Sequence, residues 1–129
     1  MKFSTKSSYG LRTMIQLARN YNKGNLSLAT IAKKENISLG YLEKSMVQLK
    51  AKKLVKSTKG VKGGYVLARA PSKISIKEIL EALEGTLSPF HCIDIKCPSE
   101  DCGARKVWQK LDREIKRTLE KMTLKELIK

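Results

Sequence analysis

The apolar positions in the first half of the chain recur every three or four residues, and each run is bounded by a residue that starts or stops a helix. In YGLRTMIQLARNYNKG, residues Tyr9, Met14, Ile15, Leu17, Ala18 and Tyr21 share one helical stripe, with Lys6, Arg12 and Arg19 off its centre. Gly24 is placed to end that helix. Ser27 is placed to cap a second helix, LATIAKKE, whose Leu28, Ile31 and Ala32 face inward. Asn36 tolerates the left-handed conformation that closes it. Ile37 then points in, and Ser38 caps a third helix over residues 39–52 with Leu42, Met46 and Leu49 as its buried stripe.

After residue 52 the period changes. LVKSTKGVKGGYVLA alternates as two short strands, 54–58 and 65–68, around a tip that holds Gly60, Gly63 and Gly64. SIKEILEALEG opens on a capping box from Ser75 to Glu78 and stops at Gly85, with Ile76, Ile79, Leu80 and Leu83 on its apolar side. A loop containing Pro89 and Pro98 follows. ARKVWQKLDREIKRTLEKM is a long helix with Val107, Trp108, Leu111, Ile115, Leu119 and Met122 along one side, and TLKEL predicts a second capping box, Thr123 to Glu126, on a short last helix. The expected fold is mainly α with a small β-hairpin. Residues 1–70 form a winged helix-turn-helix head, and residues 71–129 carry a linker helix, a loop and the long helix, with no flexible linker between them.

Two helices joined by the short turn ENIS, followed at once by a hairpin, have the plan of a DNA-binding winged helix. The third helix is expected to offer Ser38, Gly40, Tyr41, Glu43, Lys44, Ser45 and Gln48 to base edges in a major groove. Lys56, Lys59 and Lys62 arm the hairpin for phosphate, and its glycines suit a close backbone approach. An ordinary helical hairpin gives the same helix pattern, and lysines on a hairpin also guard an exposed strand edge.

Charge shifts the balance. The net charge is +15, and residues 1–70 hold 15 Lys and Arg against two acids, Glu35 and Glu43, which gives +13. Residues 71–129 hold 12 against 10. So lopsided a field attracts a polyanion, and the expected partner is double-stranded DNA with a palindromic operator. The long apolar stripe, lying after a compact head, predicts a homodimer through Trp108, Leu111, Ile115 and Leu119. No apolar run is long enough for a membrane span, and MKFSTKSSYG lacks an apolar signal region, so the expected location is the cytoplasm. One histidine and no Cys-x-x-Cys or phosphate-loop pattern argue against an enzyme.

All three cysteines lie in CIDIKCPSEDC, at Cys92, Cys97 and Cys102. A reducing compartment and an odd count disfavour a disulfide framework. Three thiolates in a loop bent by Pro98 are able to reach one centre, as iron–sulfur ligation requires. His91, Lys96, Arg105 and Lys106 surround them with positive charge. Zinc and a bare thiol sensor stay open as alternatives, and so does a non-enzymatic iron–sulfur carrier, although a carrier has no use for a basic wing.

The stretches SYGLRTMIQLA, ISLGYLEKSMVQLKAKKLV and KGVKGGYVLARAPSKISIKEILEALEG, followed by the cysteine loop, VWQKL and TLKEL, resemble the Rrf2 family of bacterial transcription regulators over nearly the whole chain. The resemblance implies a dimeric winged-helix repressor or activator whose long C-terminal helix crosses to its partner. It also implies an iron–sulfur cluster on Cys92, Cys97 and Cys102, a two-iron form in preference to a four-iron one. In the family's iron–sulfur assembly regulators a histidine stands three residues after the last cysteine. Here that position is Arg105, and the cysteine spacing is tighter. The fourth ligand would be Asp94, Glu100, Asp101, a residue of the partner chain or an external small molecule; His91 is a further candidate, but its place next to Cys92 suits a position beside the site or in solvent better. Other members lack the cysteines and sense through a partner protein or through thiol oxidation.

Overall fold

The computed structural model describes residues 3–60, 63–89 and 102–128. The chain runs α1 (Thr5–Arg19), α2 (Leu28–Glu35), α3 (Leu39–Ala51), β1 (Val55–Thr58), β2 (Gly64–Leu67), a 3-10 turn (Pro71–Lys73), α4 (Ile76–Glu84), α5 (Gly103–Lys121) and α6 (Leu124–Leu127). β1 and β2 pair antiparallel, with Val55 opposite Leu67 and Thr58 opposite Gly64.

The helix boundaries follow from local chemistry. Ser27 Oγ accepts from the Thr30 amide at 3.2 Å, and Ser38 Oγ accepts from the Tyr41 amide at 3.4 Å, so each hydroxyl satisfies a donor that its helix leaves open. Between them Asn36 sits at φ 54°, ψ 50°. That left-handed residue stops α2, and Ile37 folds under with its amide on the Ala32 carbonyl. The capping box at Ser75 and Glu78 is complete in both directions. The one expected at Thr123 is not formed, because Thr123 makes no side-chain cap bond. Instead Thr123 bridges Ser75 as an isolated antiparallel pair, with the Ile76 amide on Met122 O at 2.8 Å and the Leu124 amide on Ile74 O at 3.1 Å. The backbone pairing takes the place of the cap and clips the end of α5 to the start of α4.

Met14 and Leu17 of α1, Ile31 of α2, Leu42, Met46 and Leu49 of α3, Leu54 and Leu67 of the hairpin, Ile74, Ile79 and Leu83 around α4, and Leu124 of α6 form one buried core. Residues on both sides of position 70 therefore share it. α4 locks onto α1 at its far end too. The Glu84 carboxylate accepts from the Ser4 amide at 2.7 Å and from the hydroxyls of Ser4 and Ser7. Ser4 makes no cap bond of its own, so a carboxylate from another helix satisfies the donor end of α1. Those bonds, the Ser4 hydroxyl first, hold the Glu84 carboxyl below its ordinary range.

α5 is the exception to this packing. None of its 19 residues is buried. Leu119 and Met122 rest on the core, whereas Val107 and Leu111, further up the same stripe, are exposed.

Candidate nucleic-acid interface

α2 and α3 meet across the Asn36 turn, and an internal ion pair fixes their pose on α1. Arg12 Nε donates to Glu35 Oε1 at 2.9 Å, Arg12 Nη2 donates to the Glu35 carbonyl, and Gln16 Nε2 donates to Glu35 Oε2. The Gln16 bond, and after it Arg12, holds the Glu35 carboxyl below its usual value against the opposing effect of burial. Arg12 also lies 5.6 Å from the centre of the Tyr9 ring, and Tyr9 meets Tyr41 of α3 edge-on at 5.2 Å. One cluster of α1 side chains thus orients both helices of the helix-turn-helix.

Of the two acids in the basic half, Glu35 is therefore spent on structure. Glu43 is exposed and has no hydrogen-bond or ion-pair partner among the described residues. Lys44 is exposed beside it, and Ser38 is exposed at the cap. Three residues expected on this face are placed otherwise. Ser45 is buried, with its hydroxyl donating to the Tyr41 carbonyl at 3.3 Å. Tyr41 is half-buried against Tyr9, at the margin of the face. Gln48 turns toward α4, where it lines a cleft of about 500 Å³ with Lys6, Lys52, Glu78 and Glu81. At about 100° per residue Ser45 falls beside the packed side of α3, which Leu42, Met46 and Leu49 define, whereas Tyr41 and Gln48 fall on its flank and are half-buried by the neighbouring helices. Val47 points outward, and Leu39 is exposed at the first position of the helix, two positions that the apolar pattern did not assign to this face. The signal was available, because Val47 lies four residues after Glu43 and off the Leu42–Met46–Leu49 stripe.

The wing stands next to α3. Lys50 Nζ donates to Ser57 Oγ at 2.7 Å and ties the end of the helix to β1. Lys56 and Lys59 are exposed, and Lys62 lies outside the described residues. The glycines of the tip serve the fold more than an external contact. A Cβ on Gly64 would stand 2.6 Å from the Leu26 carbonyl oxygen, and one on Gly63 would stand 2.5 Å from that of Thr58. Leu26 and Tyr65 exchange backbone hydrogen bonds at 3.1 and 2.9 Å, which is why Gly64 has no room for a side chain. Gly60, at φ 110°, has open space around it.

Cys102 is half-buried at the N-cap of α5 and makes no cap bond there. Its carbonyl accepts from the Arg105 amide at 3.1 Å. Arg105 Nε is buried without a hydrogen-bond partner among the described residues. Cys92, Cys97 and His91 lie outside the described residues, and among the described ones no group of three metal-binding side chains occurs. On the proposed dimer stripe Trp108, Ile115 and Leu119 are half-buried and Leu111 is exposed. No helix among the described residues is long and apolar enough to cross a membrane.

Known proteins carry the same arrangement. The profile of the Rrf2 family, described as iron-dependent transcriptional regulators, matches residues 3–129. The HTH-type transcriptional regulator CymR of Bacillus subtilis is 39% identical over 127 residues, covering 98% of this chain and 89% of that protein. Its solved structure, described as that of the global cysteine regulator, superposes with a TM-score of 0.86, covering 98% of this chain and 95% of that one. The solved structure of T. potens IscR superposes with a TM-score of 0.82 at 33% identity, over 98% of this chain and 85% of that one. The names are those of regulators and not of enzymes, the hairpin is the wing of a winged helix, and the chain belongs to the Rrf2 family of helix-turn-helix transcriptional regulators.

Proposed function

We propose that two copies of this chain bind a two-fold-symmetric DNA operator in the cytoplasm and that the chemical state of the cysteine loop sets the strength of that binding. The observation that carries the reading is the outward face of α3. It offers an unpaired Glu43 and an exposed Lys44 beside a lysine-bearing wing, in the half of the chain that holds +13 of the charge. Residues 1–70 are the reading head. Ser38, Glu43 and Lys44 address the major groove, Tyr41 borders it, and Lys56, Lys59 and Lys62 meet phosphates. Gln48, on the flank of α3 beside the cleft to α4, borders the reading set on that side.

Residues 71–129 couple the head to assembly and sensing. Trp108, Leu111, Ile115 and Leu119 line one stripe of α5, with Leu111 exposed and Leu119 resting on the core, and a second α5 is an occupant of matching chemistry for it. For the sensor, three thiolates suit an iron–sulfur cluster, which when bound supplies iron that responds to oxygen and to redox state. Cys92, Cys97 and Cys102 would hold it. Arg105 cannot complete the set, because a guanidinium has no lone pair to give. Its buried, unpartnered Nε suits the negative charge of a thiolate-bound cluster. A second reading, thiol chemistry or zinc without a cluster, is favoured by Arg105 in the position of the family's histidine. The likeness to a regulator described by its link to cysteine points the same way.

Anaerobic preparation, with iron, sulfide and zinc assays and DNA binding measured before and after oxidation, separates these. Iron with stoichiometric sulfide, absent from each single Cys→Ala variant, is the expected result. Zinc without sulfide replaces the cluster by a zinc site. Neither metal, with binding that still follows thiol oxidation, establishes the bare-thiol reading. No sequence-specific DNA binding in any state defeats the proposal as a whole.

A further inference from the structure

Exposed large apolar side chains occur in two places among the described residues. Phe3, Val107 and Leu111 belong with α5, since Phe3 lines an apolar groove with Ile115 and Leu119. The other two, Leu39 at 42% exposure and Val47 at 68%, are on α3. Val47 is the most exposed of the five. Single apolar residues on a surface are ordinary, but the position of this one is not. The buried residues of α3 are Leu42, Ser45, Met46 and Leu49. At about 100° per residue the direction opposite to them falls among Gly40, Val47 and Ala51, so Val47 stands near the middle of the outward face. Glu43 and Lys44 lie one turn before it, and Gly40 contributes no side chain that would hold the helix away from a partner.

We infer that Val47 reads the C5-methyl group of a thymine in each half-site. The inference rests on the DNA-reading role proposed for α3 and specifies its chemistry. The surroundings are cationic, which selects a polyanion as the occupant of this face over a second apolar surface. Within a major groove, the thymine methyl is the one apolar group that base edges present. Val47 has no donor or acceptor, so this methyl is the feature it is able to recognise. Leu39, Glu43 and Val47 form an i, i+4, i+8 ridge, and each step along it advances about 6 Å, close to two base-pair steps of about 3.4 Å. The methyl contact therefore lies about two steps from the base that Glu43 addresses, on the side away from the Ser38 cap.

The test begins with binding-site selection by the wild-type protein and by Val47→Ala. Each selected thymine is then replaced in turn by deoxyuridine, which removes only the methyl. At one thymine per half-site, wild type should lose affinity by about threefold to tenfold, the scale of one apolar contact. Val47→Ala should show the same loss on the unmodified operator and no further loss on the deoxyuridine operator. Because the side chain is exposed, the variant should melt as wild type does. Equal deoxyuridine penalties for wild type and variant at every thymine overturn the inference. So does a variant that changes the association state of the free protein while keeping its base preference, which would make this a protein contact. If wild type selects no motif at all, the DNA-reading proposal falls and takes this inference with it; a motif that survives Val47→Ala unchanged removes only the inference.

Discussion

Glu35 accepts hydrogen bonds from Arg12 and Gln16, and its carboxyl is held below the ordinary value of 4.5. A carboxylate depressed in this way stabilises the fold above the ordinary value and loses that contribution as pH falls through the lowered one. Glu35→Gln should therefore lower the melting temperature by about a few degrees near pH 7, and the gap to wild type should close as pH falls below the ordinary carboxylate value and on through the lowered one. Thermal melts at a series of pH values check this, and a gap that persists at low pH would assign the loss to altered packing. Glu43 has the same charge and no partner among the described residues. Replacing it with Ala should cost little stability. It should relax base preference at one position per half-site, where a cytosine amino group is the donor that suits a carboxylate. Identical selected motifs for wild type and variant would clear Glu43 of any reading role.

At the scale of elements, the wing and α5 make separable predictions. Lys59 is exposed on the hairpin, and Lys62, outside the described residues, follows it by three positions in the sequence. Phosphate contacts position a protein without reading sequence. Lys59→Ala and Lys62→Ala should each weaken binding to specific and random DNA alike. Each should also make the slope of log affinity against log salt shallower by about one, the share of a single neutralised phosphate. A shift in base preference, with random-DNA affinity intact, is the outcome that contradicts this. Among the described residues α5 leaves Leu111 exposed, and none of its positions is fully buried. Leu111→Arg should leave the monomer folded and dissociate the dimer at micromolar concentration, as seen by light scattering. A wild-type protein that is monomeric under the same conditions would rule out the seam.

For the whole molecule the dominant quantity is the field of the basic half. Arg12 and Arg69 are its cations in ion pairs among the described residues, with Glu35 and Glu78. The remaining described lysines and arginines of residues 1–70 make no ion pair with a described residue, although Lys6 and Arg19 lie near enough to Glu84 and Glu35 to favour their charged forms. If a dimer displaces counterions from about six to ten phosphates, affinity should fall by roughly 10³–10⁵ between 50 and 200 mM salt. Filter binding or fluorescence anisotropy across that range measures the slope, and a flat response would mean that the charge serves something other than DNA. Coupling to the cysteine loop has a route in this architecture. Cys102 opens α5, and the far end of α5 is clipped to the start of α4 through the backbone bonds of Ile76 and Leu124. α4 in turn holds the donor end of α1 through Glu84. A change of loop state that moves α5 thus acts on helices that share their core with α3.

Helix and strand placement was legible in the residues because it rests on interactions within a few positions, except that α1 stops at Arg19, with Asn20 as its cap, and not at Gly24, whose φ of 94° serves the following turn. The caps at Ser27, Ser38 and Ser75, the left-handed Asn36 and the three-to-four-residue apolar spacing each involve neighbours in the chain. The charge asymmetry and the clustering of the cysteines were likewise visible without a fold. What stayed hidden depends on which distant segment a side chain meets. Thr123 has the sequence of a capping box, but Ser75 pairs with its backbone from across the chain. Gly63 and Gly64 look like an opening for a ligand, yet the space beside them belongs to Thr58 and Leu26. Tyr41 and Gln48 are polar residues on an amphipathic helix, and only the positions of α1 and α4 half-bury them at the margins of the outward face. Val47 lies off the Leu42–Met46–Leu49 stripe, so its outward direction was legible in the spacing, and the fold adds that no other segment of the described residues packs over it. Sequence alone determines local geometry and total charge because both are set by residue type and short separation. Tertiary structure decides which side chains face outward, because the space around each one is filled by residues far away in the chain.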